Sequence, residues 1–151
     1  MSLDPYVDKA VNHPPNPCYD KLPVIGIVNT ILQARNDKRA MQLSPYPSRA
    51  FQKHEIHELI ITPEMGAGPN ATVNNVIYFC FFEMETSGVL WVGDTVEADG
   101  EVIGTVAGYD FTHLPNHMNI ILKSDQFLKT GREAGVKLGS KIKFTFNPAN
   151  K

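Results

Sequence analysis

No run of apolar residues comes near the roughly 18 that a bilayer-spanning helix requires, because Pro, Gly, Asp or Lys interrupts each hydrophobic stretch. With apolar residues at 42% of the chain, the expectation is a soluble globular protein with no membrane partner. An excess of one charge is missing too. Lys and Arg total 14 and Asp and Glu 16, a net charge of -2 with no long block of either sign. Proteins that hold nucleic acid through its phosphates carry a basic stripe, so no nucleic-acid partner is expected. Cysteine is scarce. Cys18 lies in a Pro-rich stretch and Cys80 in the middle of "VIYFCFFEM", which makes Cys80 a small core residue and gives no disulfide framework. The N-terminus "MSLDPYVDK" has neither the basic start nor the apolar centre of a secretory signal, and the expected location is cytoplasmic. There is no G-x-S-x-G elbow for a nucleophilic serine.

The length of 151 residues fits one domain. Residues 1–22, with "HPPNPCYDK" at their end, read as an extended Pro-rich arm, since each proline fixes φ and removes a donor. His13 belongs to that arm. Residues 23–151 then show one β signal after another. "VIGIVNTILQAR" and "RAMQLSP" flank "NDK" as a hairpin, with Arg35, Lys38 and Arg39 as its solvated basic tip. "IHELIIT" and "NNVIYFCFFEM" flank a Gly-containing loop, and "ADGE" between Val96 and Val102 is a tight Asp-Gly turn. The one helix candidate is "SDQFLKTGREAG", near 124–134, with Ser124 or Asp125 as N-cap and Gly131 or Gly135 as its stop. Close, regular strands with a single short helix predict a mainly β fold, a compact single β-barrel of about seven to nine strands closed to hide its edges.

Two segments repeat weakly. "SGVLWVGDTV" (87–96) and "AGVKLGSKI" (134–142) share the order Gly-Val, apolar, Gly, small polar, then Val or Ile. "VGDTV" resembles the GD box of cradle-loop barrels, in which a Gly-Asp turn links strands distant in sequence; the second copy departs by having Ser140 in place of Asp. The resemblance covers about ten residues per copy and implies a fold, not an activity.

Four of the five histidines fall into two close pairs, His54 with His57 in "KHEIHE" and His113 with His117 in "THLPNHMNI". A transition metal such as zinc takes three or four ligands, so both pairs would have to contribute. Glu55 or Asp110 would then serve as general base toward a metal-bound water. "HEIH" is one residue short of the zincin spacing, and in a strand of period two His54 and His57 would point to opposite faces. Only a helical turn through 52–58 would put them together. The alternative is that the histidines are half-exposed loop residues beside strand ends.

"GYDFTHLPNHMN" is the strongest candidate for a ligand-binding loop: Asp110, Thr112, His113, Asn116, His117 and Asn119 lie within ten residues, ahead of "IIL". "MGAGPNA" matches a dinucleotide fingerprint only loosely. A strand pattern follows it where a helix would have to receive the pyrophosphate, so no nucleotide cofactor is expected. The functional expectation is a small-ligand-binding or assembly module that self-associates through the apolar strand around "VIYFCFF"; the alternative is a small metalloenzyme using the paired histidines.

Overall fold

The computed structural model describes residues 16–148. Seven strands close into a ring. In ring order they are β1 (Val24–Ile31), β12 (Lys141–Thr145), β9 (Thr95–Ala98), β10 (Glu101–Asp110), β11 (Asn119–Lys123), β5 (Ile56–Thr62) and β7 (Val76–Met84), which pairs back onto β1. All neighbours are antiparallel except β11 and β5. The expected mainly β, near-barrel architecture is what forms, and closure leaves the long apolar strand without an open edge. Short pieces complete the set: β2 (Arg35–Asn36) on the start of β7, β3 (Met41–Gln42) with β6 (Thr72–Val73), and β4 (Ser48–Phe51) with β8 (Gly88–Trp91). Among the described residues no helix is long and apolar enough to cross a membrane.

"ELIIT" and "NIIL" read as continuous apolar runs rather than alternating ones, and β5 and β11 are the parallel pair buried on both faces. Leu59, Ile61, Ile120 and Leu122 point into the barrel with Phe79, Phe82 and Phe144. Ile60 and Ile121 point outward into a second cluster with Met41, Leu43, Ala67, Val73 and Val76. The segments carrying β3 and β6 are therefore the lid that the outer face requires. Tyr78 packs against the same cluster, and Phe81 lies under the ring of His117. The chain itself thus covers part of the outer face of β7, with Tyr78 and Phe81 half-buried.

The Asp-Gly turn joins β9 to β10 with φ of 49° at Asp99 and 87° at Gly100, the two positive values that a type I′ hairpin turn needs. The "NDK" hairpin does not form. β1 and β2 instead run one after the other along β7, and β3 pairs with β6, because β7 offers a longer apolar partner than residues 40–43. The helix, α1, is only Gly131–Ala134, capped by Thr130 in a reciprocal pair with Glu133 and stopped by Gly135 at φ 75°. Ser124 is not its N-cap; its Oγ accepts the Phe127 N–H (2.9 Å) in an isolated turn. A Cβ on Gly131 would sit 2.0 Å from the Phe79 carbonyl oxygen, which explains glycine at this contact of α1 with β7.

The two repeat segments have the same local geometry. Gly93 (φ 99°) donates to Val106 O and receives Val106 N–H at Asp94 O; Gly139 (φ 93°) donates to Val28 O and receives Val28 N–H at Ser140 O. Asp94 Oδ2 accepts Trp91 N–H (2.9 Å), and Ser140 Oγ accepts Lys137 N–H (2.8 Å). Of the two equivalent turn residues only Asp94 is charged, and Lys21 from the N-terminal segment meets it at 2.6 Å with both side chains largely buried. Burial still holds the Asp94 carboxyl above its ordinary value, against the pull of Lys21. Most of the expected arm, residues 1–15 with His13, lies outside the described residues.

Candidate functional site

The candidate site lies where β5 and β11 begin. Ahead of β5, residues 52–55 form a tight turn in which Glu55 Oε2 accepts the Gln52 N–H (2.8 Å). His54 sits in this turn at φ 74°, and its Nδ1 lies 2.7 Å from Glu83 Oε2 in an exposed surface pair. No helical turn runs through 52–58, and His54 and His57 go to different surroundings because His54 lies in the turn, at positive φ, while His57 lies on β5.

His57 shares the inward side of β5 with Leu59 and Ile61, and its ring meets the edge of Phe51 at 5.1 Å. The Met118 backbone N–H donates to His57 Nδ1 (3.0 Å). A backbone N–H can only donate, so the ring proton must be on Nε2, where Glu55 Oε1 accepts it at 2.8 Å. Both nitrogens are occupied. Burial holds the His57 pKa below its ordinary value, helped by the charges of Arg49 and His117 and opposed by Glu55. Burial also acts to raise Glu55, but hydrogen bonds from His57 and the Gln52 amide, with the charges of His57 and Arg49, bring it out below its ordinary value.

His117 is held by the outward residue Glu58, with Nε2 at 3.0 Å from Oε1. Asn116 Nδ2 approaches its Nδ1 at 3.2 Å, His113 stacks on it at 5.0 Å, and Phe81 meets it edge-on at 4.9 Å. Arg39, expected at a solvated tip, reaches His113 Nε2 at 3.5 Å. Burial raises the Glu58 carboxyl, more than the pull of His117, His113 and Arg39 lowers it. At the foot of the loop Asp110 and Asn119 face each other across β10 and β11. Asp110 Oδ2 accepts Asn119 Nδ2 (2.9 Å), and Oδ1 accepts the Thr112 hydroxyl (2.6 Å) and amide (3.4 Å). The six expected loop residues thus divide into Asp110, Thr112 and Asn119, which close the base, and His113, Asn116 and His117, which form the outer wall.

A groove of about 420 Å³ opens between these parts, lined by Glu55, Ile56 and His57 on one side and Leu114, Pro115, Asn116 and His117 on the other, with Arg49 beside them. Arg49 carries no sequence signal: only the pairing of β4 with β8 brings it here. Its guanidinium lies 5.3 Å over the Phe111 ring, and its buried Nε has no hydrogen-bond acceptor. His57 and His117 therefore border one groove, whereas His54 belongs elsewhere. Among the described residues no three His, Cys, Asp or Glu side chains are placed to share a metal ion.

A family model matches residues 18–145, from just before Lys21 to the last residue of β12. The chain belongs to DUF6917, a family of unknown function. No curated protein and no solved structure matches it. The DUF6917 match contains the whole ring and every residue of the groove. Both cysteines of this DUF6917 chain are free, and burial pushes the Cys80 thiol far up, which removes it as a nucleophile at neutral pH.

Proposed function

We propose that this DUF6917 chain is a non-catalytic small-ligand-binding module and that its ligand sits in the groove between residues 49–57 and 114–117. The observation that carries the reading is Arg49: a guanidinium stacked on Phe111 that lines the groove and has no carboxylate partner among the described residues. A guanidinium without an anionic partner presents a planar fork of donors that matches a ligand carboxylate. A catalytic reading has less support. Both candidate bases, Glu55 and Asp110, accept hydrogen bonds at both carboxylate oxygens, which fixes them in place, and among the described residues no three His, Cys, Asp or Glu side chains are placed to hold the metal whose water they would activate. The metal-dependent alternative would have to displace the Met118 amide or Glu55 from His57. The proposal rests on the groove alone and does not depend on self-association.

We also propose membership of the cradle-loop barrels at the level of fold, on the strength of the two glycine turns that clasp Val106 and Val28 through the same pair of backbone bonds. Acetate tests the groove. Titrated against isotope-labelled protein, it is expected to shift the resonances of His57, Asn116 and His117 and to leave them unmoved in Arg49→Met. Shifts scattered over the surface, or equal in the variant, would remove the groove as a site.

A further inference from the structure

Resting on the proposed groove, a more specific ligand class follows from its charges. Arg49 and Glu55 are both groove residues, and the positive charge of Arg49 acts to lower the Glu55 carboxyl. They nevertheless form no ion pair with each other among the described residues. Each Glu55 oxygen accepts one hydrogen bond, Oε1 from His57 and Oε2 from the Gln52 amide, which leaves lone pairs for a further donor at each. The Glu55 side chain is about one-third exposed, so those lone pairs are reachable. Arg49 lines the same groove and has no carboxylate partner among the described residues. A simple anion would satisfy Arg49 but meet the like charge of Glu55, and a simple cation would do the reverse. A ligand with both charges satisfies the two sides at once.

The remaining walls are apolar. Ile56 is 46% exposed and Leu114 41%, large apolar side chains at the groove with Pro115 beside Leu114. His57 is held in its neutral form by the Met118 amide at Nδ1, and His117 Nε2 is engaged by Glu58. A volume of about 420 Å³ suits a small molecule rather than a folded partner. We infer that the groove binds a zwitterionic ligand with a compact apolar side chain, of the class of an apolar α-amino acid. Its carboxylate lies on Arg49, its ammonium on Glu55, and its side chain against Ile56, Leu114 and Pro115.

Three isosteric probes test this: leucine, 4-methylpentanoate, which lacks the ammonium, and 3-methylbutylamine, which lacks the carboxylate. Each is titrated against labelled protein, with the groove resonances of His57, Leu114 and His117 as the readout. Leucine is expected to bind at least about tenfold more tightly than either analogue, because each analogue leaves one charged groove residue without its partner. Arg49→Met is expected to abolish the leucine shifts, and Arg49→Lys, which keeps the charge and loses the fork, to weaken them; an unchanged amide spectrum away from the groove shows that each variant is folded. If 4-methylpentanoate or the amine binds as tightly as leucine, the zwitterion class is overturned while the groove stands. If leucine shifts only residues outside the groove, the assignment is likewise overturned. If acetate and all three probes leave the groove unmoved, the binding reading itself falls, and this inference with it.

Discussion

The pairs His57–Glu55 and His117–Glu58 flank one groove and have similar spacings, 2.8 and 3.0 Å, but their second ring nitrogens differ. His57 Nδ1 faces a backbone N–H. That donor cannot reverse, so a second ring proton would point at another proton and break the link between β5 and β11. His117 Nδ1 faces the side-chain amide of Asn116, which can turn its oxygen toward the ring and accept. One pair is therefore a fixed pin, and the other can accommodate a change of charge. A close histidine–carboxylate contact does not by itself identify an acid–base site; the partner of the far nitrogen decides.

Removing the pin has the largest expected effect. His57→Leu keeps the apolar contact with Phe51 but leaves the buried Met118 N–H without an acceptor, and urea unfolding is expected to show a loss of about 2–3 kcal/mol. Glu58→Gln keeps an acceptor for His117, removes a carboxylate that burial disfavours, and is expected to change stability by less than about 1 kcal/mol at neutral pH. His54→Asn tolerates the positive φ and removes only an exposed ion pair, so its effect is expected to stay below about 0.5 kcal/mol. Equal losses for His57→Leu and His54→Asn would erase the distinction between pin and surface pair.

The pH dependence sharpens the same contrast, because the two pairs pull in opposite directions. The folded His57 pKa lies below its ordinary value. As pH falls below about 6.5, the unfolded chain takes up a proton that the folded ring refuses, and stability declines by at most about 1.4 kcal/mol per pH unit. Glu58 is raised; its contribution is full below the unfolded carboxyl value and is lost as pH rises through the folded one. Stability measured from acid to neutral pH is expected to lose part of its acid-side decline in His57→Leu. In Glu58→Gln the cost of ionising that carboxyl should vanish, making the rise toward neutral pH steeper.

Much of this was legible along the chain. The strands "IHELIIT" and "NNVIYFCFFEM" showed in their β-branched and aromatic runs and the Asp-Gly turn in its dipeptide, whereas the separation of His54 from His57 comes from a turn at 52–55 and not from the strand period. What was hidden depends on pairing over long separations. Arg49 reaches the groove because β4 pairs with β8, about forty residues away, and nothing in "PSRAF" announces that partner. The "NDK" hairpin failed for a related reason: local turn chemistry lost to the longer apolar surface of β7. The helix candidate was placed in the right region, but its first half has a turn-forming serine and an extended Thr130, so only the last turn is helical.

The claim that the inner histidine holds the groove together, rather than waiting for a metal or a proton, is tested most directly by long-range nitrogen NMR on His57. The account predicts a neutral ring with its proton on Nε2 at neutral pH, which takes up a second proton only below the ordinary imidazole value of about 6.5 and is unmoved by one equivalent of zinc. A His57 ring that titrates near its ordinary value, or whose Nδ1 resonance shifts on adding zinc, would contradict it.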